Sequence, residues 1–349
     1  MFRAACNLVG RPTRVAPVAC RTGGGAHTPV MATGAQFPEE NSGEGEFERQ
    51  EDAFRDWVRA DGSTPYPPAA GRYHLYVSLA CPWAHRTLIV RHLKRLESAI
   101  GATVVDPVRD ERGWAFRDGP GHSRDPVNGF SFLSEAYRAS DPRFRGRWTV
   151  PVLWDKQTQR IVNNSEDDVC RMFNSEFPAG GRDTPDLFPA ALAQPQAELS
   201  ALIYEQVNNG VYRAGFATTQ AAYEAGARQV FATLDLLEAR LADRRFLFGD
   251  HMVETDWRLF CTLVRFDSVY HGHFKCNVRR IVDYPNLQGY LRDLYQTPRI
   301  ADTVNFDHIK RHYYITHPEI NPTQIVPVGP ALDLSLPHGR ARLSAGGES

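Results

Sequence analysis

The first regular pattern of apolar residues in this chain begins at Tyr73. Residues 73–79 are rich in aromatic and branched apolar side chains, which predicts a β-strand. Pro82 follows at the first position of a helix, where its missing N–H has no intrahelical partner to lose. Beyond it, apolar residues recur at helical spacing and predict one apolar helix face, made by Ala84, Leu88, Ile89, Leu93 and Leu96. The segment therefore predicts a strand, a tight turn and a helix, with Cys81 in the turn.

After this unit the chain first shows further strand-like segments and then only helical periodicity. Further strand-like segments occupy residues 103–108, 149–154 and 161–162, and Ser165 with Asp168 matches a helix capping box. A long Gly-, Asp- and Pro-rich insertion covers 109–147, and a loop of such length is usually functional or disordered. After a Gly/Pro-rich linker only helical periodicity is found, at 194–212, 219–241, 254–270, 284–296 and 300–313. We predict an α/β domain followed by an all-α domain.

Cys81 is the first candidate for chemistry. A cysteine at the start of a helix faces the positive end of the helix dipole, which favours the thiolate and can lower its pKa from about 8.5 to about 7 or below. The alternative is a small buried apolar cysteine, and the turn alone does not decide between the two. Position 84 is alanine, so the C-x-x-C pair of a dithiol oxidoreductase is absent and any redox chemistry here uses one thiol.

Composition limits the classes of protein that the chain can represent. It has 349 residues, is 42% hydrophobic and 23% charged, and suits two globular domains. A net charge of −1 provides no basic field for nucleic acid, and no apolar run reaches the length of about 18 residues that a membrane span needs. The six cysteines, at 6, 20, 81, 170, 261 and 276, follow no pattern and indicate reduced thiols.

The N-terminal segment differs in composition from the rest. Residues 1–38 contain Arg3, Arg11, Arg14 and Arg21 but no acidic residue, which is typical of a transit peptide. We expect a mitochondrial or plastid location if this segment is a transit peptide, and a cytoplasmic one if it is a disordered extension. The predicted domains are 39–182, with an N-terminal arm, and 183–317, which is helical; 318–349 forms a C-terminal tail.

Longer motifs connect the chain with a known family. The order of strand, Cys-Pro turn, Thr-Val-Pro strand, acidic helix start and helical second half resembles a glutathione transferase whose N-terminal domain is thioredoxin-like. Within that superfamily the chain resembles the glutathionyl-hydroquinone reductases, the Omega-like Xi class, over about residues 45–338. The motifs that carry the resemblance are GEFERQ (45–50), LACPWAHRT (79–87), GWAF (113–116), DPRFRGRWTVPVLWDK (141–156), IVNN (161–164), RMFN (171–174), VNNGVYRAGFATTQ (207–220), TLVRFDSVYHGHFKCN (262–277) and NFDHIKRHYYITH (305–317).

The resemblance implies a reaction and a set of site residues. The Cys81 thiolate would take the glutathionyl group from a glutathionyl-hydroquinone as a mixed disulfide, and a second glutathione would release oxidised glutathione. The glutathione-binding residues would be Trp114, Arg147, Val150, with a cis bond to Pro151, and the Ser165-Glu166 turn. Tyr212 and Tyr313 would face the phenolic ring. The family has Glu-Ser where this chain has Ser165-Glu166, so the hydroxyl and the carboxylate exchange places.

Other functions and partners complete the expectations. The alternatives are a thiol transferase or dehydroascorbate reductase of the cysteine-type glutathione transferases, and a non-catalytic protein that binds glutathione. The resemblance implies a homodimer joined through the helical domain, and the aromatic run 266–274 looks exposed in the sequence. His271, His273 and Cys276 have the side chains of metal ligands but no fourth ligand nearby, so we expect no metal.

Overall fold

Four short strands form the sheet of the N-terminal half in a computed structural model that describes residues 50–178 and 183–344. The strand order is β2-β1-β3-β4, with β1 parallel to β2 and antiparallel to β3, and β3 antiparallel to β4. The strands are β1 (Tyr73–Val77), β2 (Gly101–Val104), β3 (Val152–Asp155) and β4 (Arg160–Asn163). Three helices accompany them, α1 (Pro82–Leu93), α2 (Leu133–Ser140) and α3 (Glu166–Ser175). The predicted α/β fold class of this half is confirmed.

Helix α1 is buried on more faces than its predicted apolar stripe. The stripe residues Ala84 and Ile89 are fully buried, but so are the polar residues His85 and Thr87 on other faces. The reason is that α1 packs against α3 on one side and against a helix of the C-terminal half on another. The helix ends at Leu93, so Leu96 lies beyond it and not on the predicted stripe.

Two details around α3 and β3 differ from the sequence pattern. Ser165 occupies the N-cap of α3, but no side chain caps the helix, so the predicted capping box is wrong. Asp168 instead accepts hydrogen bonds from Arg55 of the N-terminal arm (2.9 Å) and from Asn163 (3.1 Å). The Val150–Pro151 peptide bond is cis, as the resemblance implies, and β3 begins only after the proline.

The insertion between β2 and β3 includes helix α2. Its first part is held on the helical half by three hydrogen bonds. His312 Nδ1 donates to the carbonyl of Pro107 (2.8 Å), His308 Nε2 bonds the carbonyl of Pro120 (2.7 Å), and the Arg109 N–H donates to Thr316 Oγ1 (3.4 Å). The insertion is therefore a fixed strap between the two halves.

The C-terminal half is helical, and its described helices are shorter than the periodicity predicted. They are α4 (Ala193–Ile203), α5 (Gly210–Gly215), α6 (Gln220–Arg240), α7 (Glu254–Arg265), α8 (Pro285–Tyr295) and α9 (Phe306–Thr316). The predicted helix 194–212 is interrupted by a π-helical turn at Tyr204–Asn208, and the predicted helix 254–270 ends in one at Phe266–Tyr270. The predicted helix 300–313 is a short 3-10 turn (Ala301–Thr303) followed by α9, because Asn305 caps α9 by accepting from the His308 N–H.

The run 266–274 is not exposed. Phe266, Val269, Tyr270 and Phe274 are fully buried, because the turn after α7 directs them into the core beside α9. The expectation that this aromatic run is exposed, which supported a dimer interface at this place, is therefore wrong.

The two halves meet where α7 crosses the turn that precedes α1. Arg265, fully buried, donates from Nε to the carbonyl of Ala80 (2.9 Å) and from Nη2 to that of Leu79 (2.9 Å). Its Nη1 donates to the carbonyl of Cys261 (2.7 Å) and to His85 Nδ1 (3.1 Å). His85 then donates from Nε2 to Thr303 Oγ1 (2.7 Å). A residue of the helical half thus fixes the backbone directly before Cys81.

The tail returns over the helical half. Arg340, buried, donates to the carbonyls of Leu241 (2.8 Å) and Arg245 (3.1 Å) just beyond the end of α6. The predicted transit peptide, residues 1–38, lies outside the described residues. The predicted boundaries of the domains stay predictions.

Candidate active site

One large cavity, of about 1550 Å³, lies between the sheet half and the helical half. Cys81 lines it at the N-cap of α1, and its partly exposed thiol lies 3.7 Å from the carbonyl oxygen of Val150. The other described cysteines, Cys170, Cys261 and Cys276, are buried. Cys81 is therefore the described thiol that a ligand in the cavity can reach.

The structure brings all the sequence-predicted glutathione-binding residues to the wall of this cavity: Trp114, Arg147, Val150, Ser165 and Glu166. Arg147 is half-buried, and Val150 lies beside the thiol. Trp114 is only 4% exposed because His312 stacks on it, with ring centroids 4.9 Å apart, and Arg109 lies 5.4 Å from its ring. It thus offers a ligand little surface, and its predicted role as a stacking wall stays a prediction.

Glu166 belongs to a group of charges, buried except for the half-exposed Asp167, that the sequence did not predict. The carboxylates of Glu166, Asp167 and Glu254 share the guanidinium groups of Arg86 and Arg258. Arg86 lies 3.3 Å from Glu166, 2.5 Å from Glu254 and in contact with Asp167. Arg258 lies 2.5 Å from Asp167 and 3.5 Å from Glu254. With all carboxylates ionised the group would carry an excess negative charge, which is costly in a buried place.

The pKa shifts follow from this arrangement. Burial raises the pKa of Glu166 to about 7, against the attraction of Arg86, and the charge of Asp167 adds to the rise. For Asp167, burial acts in the same direction, but Arg86 and Arg258 together hold its pKa below the ordinary value. Glu166 is thus the carboxyl of the group that accepts a proton near neutrality.

Two tyrosines of the helical half, Tyr212 and Tyr313, also line the cavity. The hydroxyl of Tyr313 is hydrogen-bonded to that of Tyr212 and lies 3.0 Å from that of Tyr270. Burial raises the pKa of Tyr313 and Tyr270 well above the ordinary value, so these hydroxyls keep their protons. Tyr212 is 8% exposed and Tyr313 1%, so of the predicted pair Tyr212 presents more surface to a ligand. A connected chain of proton donors therefore ends at the cavity.

Three buried histidines beside these tyrosines were not predicted as site residues: His273, His312 and His317. His312 and His317 line the cavity, and His273 Nε2 lies 3.3 Å from His317 Nδ1. The available signal was the density of His and Tyr in the segment 305–317, a pattern more often found in packing. Within residues 50–178 and 183–344, no group of three or more His, Cys, Asp or Glu side chains could hold a metal ion. No described helix is long and apolar enough to cross a membrane.

The fold and the placement of the thiol define the class of protein. The family model for the glutathione S-transferase N-terminal domain matches residues 80–176, and that for the C-terminal domain matches residues 220–293. The sheet half with Cys81 and the helical half with the tyrosines correspond to these two domains. The class is that of the glutathione transferases, with cysteine at the start of α1.

Similarity to individual proteins gives a narrower assignment within this class. Glutathionyl-hydroquinone reductase YqjG of Escherichia coli is 52% identical over 304 residues, which cover 85% of this chain and 92% of that protein. Glutathionyl-hydroquinone reductase PcpF of Sphingobium chlorophenolicum is 48% identical, covering 86% and 94%. The glutathione-bound structure of YqjG matches with a TM-score of 0.80 over 82% of this chain and 96% of that one. The Xi glutathione transferase of Phanerochaete chrysosporium is 47% identical and also has a TM-score of 0.80, over 83% and 99%.

The chain belongs to the glutathionyl-hydroquinone reductases, the Xi class of glutathione transferases. It is an enzyme of this family, and glutathione is its co-substrate.

The raised pKa of Glu166 predicts a pH-dependent effect of the substitution Glu166→Gln. Between its unfolded value of 4.5 and about 7, this carboxyl holds a proton in the folded state that it releases on unfolding. The stability of the native protein therefore falls, relative to that of the variant, as pH rises through this window. In urea denaturation without glutathione, the free energy of unfolding of the variant relative to that of the native protein should increase by about 1–3 kcal/mol between pH 5 and pH 8.

Glu224→Gln on α6 is the matched control. Gln220 and Arg228 lower the pKa of Glu224. The stability of Glu224→Gln should therefore fall relative to that of the native protein as pH rises, which is the opposite of the change expected for Glu166→Gln. A Glu166→Gln difference that does not depend on pH would show that Glu166 is ionised throughout.

Proposed function

We propose that this chain removes glutathione from glutathionyl-hydroquinones through a mixed disulfide at Cys81. The thiolate attacks the glutathionyl sulfur, the sulfur–sulfur bond forms, and the bond between sulfur and the ring carbon breaks. The electron pair of that bond stays with the ring carbon, which takes a proton, so hydroquinone leaves and Cys81 holds glutathione. A second glutathione thiolate attacks the disulfide, giving oxidised glutathione and free Cys81.

The observation that carries this proposal is the position of Cys81 between two different walls. On one side are Val150 and the polar groups of α3, which suit a peptide backbone and its charged ends. On the other are Tyr212 and Tyr313, which suit a phenolic ring. Membership in the family supports the same substrates, since YqjG and PcpF are named glutathionyl-hydroquinone reductases.

The environment of Cys81 supports a nucleophilic thiol. The thiol lies at the N-terminal end of α1, and the guanidinium of Arg265 binds the carbonyls of the residues just before it. A helix dipole and a nearby cation both favour thiolate over thiol. The tyrosines lie at the cavity end where the leaving ring needs a proton, and a protonated hydroxyl chain can supply it.

Replacing Cys81 should abolish turnover. In Cys81→Ser the hydroxyl is too weak a nucleophile to attack the sulfur, so we expect no reduction of a glutathionyl-hydroquinone above background and no glutathione adduct by intact-protein mass spectrometry. Cys276→Ala is the matched control, because Cys276 is buried away from the cavity wall. It should keep turnover and form the adduct. Wild-type turnover by Cys81→Ser would refute the mixed-disulfide mechanism.

The tyrosines should act on the ring and not on the disulfide chemistry. Tyr212→Phe and Tyr313→Phe each interrupt the hydroxyl chain, and loss of a positioned proton donor typically lowers a rate by about 10²-fold or more. We expect such a loss with glutathionyl-hydroquinones in steady-state assays. Formation of the Cys81 adduct from oxidised glutathione has no aromatic leaving group, so stopped-flow rates for it should change little. Equal losses in both reactions would assign the tyrosines to glutathione binding or to packing.

We also propose a homodimer that forms through the helical half. Leu236 on α6, Val278 and Val282 are 49%, 74% and 40% exposed. They lie in one region of the surface, because Asp235 on α6 accepts a hydrogen bond from Tyr284 (2.9 Å), close in sequence to Val282. An exposed apolar patch on a globular protein is typical of an interface.

The dimer predicts opposite results for two matched substitutions. Light scattering at micromolar concentration should give the mass of two chains for the native protein and of one chain for Val278→Glu, because a charge in an apolar interface is costly. Val328→Glu, at a fully exposed position in the tail, should remain dimeric. A monomeric native protein would contradict the proposal.

A further inference from the structure

His312 has a single hydrogen-bonding arrangement that the structure determines. Its Nδ1 lies 2.8 Å from the carbonyl oxygen of Pro107 in the insertion. Because a carbonyl oxygen can only accept, the ring proton is on Nδ1. Nδ1 also lies 3.3 Å from Thr316 Oγ1, whose hydroxyl can donate or accept elsewhere. The other ring nitrogen, Nε2, therefore carries a lone pair.

The Nε2 atom is open to the cavity. His312 lines the cavity, and one face of its ring is covered by Trp114 at a centroid distance of 4.9 Å and an angle of 24°. Among the described residues Nε2 has no hydrogen-bond partner, and it is not among the fully buried polar atoms that lack one, which include His92 Nε2. A buried histidine thus presents an unused acceptor beside Tyr313, whose ring centroid is 5.2 Å away.

This acceptor does not become a donor at physiological pH. Burial lowers the pKa of His312 to about 3, and the charges of Arg109, His273 and Arg265 act in the same direction, while the hydrogen bond to Pro107 opposes them. A group with so low a pKa is a poor base for removing a proton, but it remains a good hydrogen-bond acceptor. Its chemistry is therefore recognition.

We propose that His312 Nε2 accepts a hydrogen bond from a phenolic hydroxyl of the substrate, and so selects rings in the reduced, hydroxyl-bearing form. The inference rests on the function proposed above and adds the residue that distinguishes a hydroquinone ring from a quinone ring. A hydroquinone hydroxyl has a proton to donate to Nε2. A quinone carbonyl has none, so its lone pairs would face the lone pair of the imidazole. The tyrosine hydroxyls can turn to donate or accept, and they cannot make this distinction.

The surrounding contacts hold the imidazole in this state. Protonation of Nε2 would place a cation near Arg109, whose guanidinium lies 5.4 Å from the ring of Trp114 on which His312 stacks. Rotation of the ring would break the bond to Pro107 and the stacking on Trp114. The insertion thus has a function beyond joining the halves, because its Pro107 carbonyl determines which nitrogen of His312 carries the proton.

The test compares two ligands in a protein that cannot react with either. In the Cys81→Ser background, calorimetry would give the dissociation constants of S-(2,5-dihydroxyphenyl)glutathione and S-phenylglutathione. The second ligand lacks the hydroxyls but fits the same space. The protein with His312 should prefer the dihydroxyphenyl conjugate by about tenfold or more, which is a difference of about 1.4 kcal/mol.

Two substitutions at position 312 separate recognition from packing. In His312→Asn the amide can still donate to the Pro107 carbonyl, but the acceptor at Nε2 is gone, so the preference should fall by about fivefold. In His312→Gln the longer amide can place its oxygen near the Nε2 position, so part of the preference should return. Loss of packing alone would weaken both ligands equally and leave their ratio unchanged.

The outcomes distinguish this inference from the proposed function. A preference that is the same in His312→Asn and in the protein with His312, or no preference in the latter, would overturn the role of His312. Binding of glutathione alone serves as the check that each variant is folded. If His312→Asn fails this check, the ratio in His312→Gln decides: with normal glutathione binding, a ratio above one but below that of the protein with His312 supports the proposal, and an unchanged ratio overturns it. Failure of the proposed function would show separately, as binding of neither conjugate more tightly than glutathione.

Discussion

The active site depends on one buried cation, Arg265. Its guanidinium binds the carbonyls of Leu79 and Ala80, and through them sets the turn that ends in Cys81. No carboxylate is among its hydrogen-bond partners in the described part of the chain, so its charge is balanced by carbonyl dipoles and by His85. Leaving those acceptors unpaired in a buried place would cost about 1–3 kcal/mol for each. The backbone that leads to Cys81 in one half is thus held by a side chain of the other.

This arrangement explains why the halves are not independent modules around the thiol. Helix α1 carries Cys81 at its start, and α7 packs along it with Arg265 at one end of the contact and Glu254 at the other. Glu254 is paired with Arg86 of α1, so a charged residue at each end of α7 contacts the region around the start of α1. Of the buried polar residues of α1, His85 and Arg86 make these contacts, which is why the helix is buried on faces other than its apolar stripe.

The sequence predicted the parts of the structure that depend on local pattern. The strand, turn and helix around Cys81 follow from residues 73–96 alone, and the helical second half follows from periodicity. The helix ends and π-helical turns did not follow, because they depend on tertiary contacts such as the burial of Phe266 and Tyr270. The capping box failed for the same reason: Asp168 is bonded to Arg55, more than a hundred positions away in sequence, and no local pattern could show that.

The candidate site residues also divide into those that a sequence motif indicates and those that depend on tertiary contacts. Cys81 became a candidate from its predicted place at a helix start, and the resemblance to the family supplied Tyr212 and Tyr313 as candidates; the structure places all three on the cavity wall. Arg86, Arg258 and Glu254 could not be found, because each lies within a helical pattern where a charged residue normally faces solvent. Their role appears only when α1, α3 and α7 come together.

The insertion connects these observations with the chemistry of the ring. A loop of its length would be expected to move, yet it is bonded to α9 at Pro107, Arg109 and Pro120. Helix α9 also carries Tyr313, which is bonded to Tyr212 near α1. The hydroxyl chain and the orientation of His312 therefore share one support. The tyrosines and His312 are held by contacts from both halves, so the fold itself sets the position of these side chains in the cavity that Cys81 also lines.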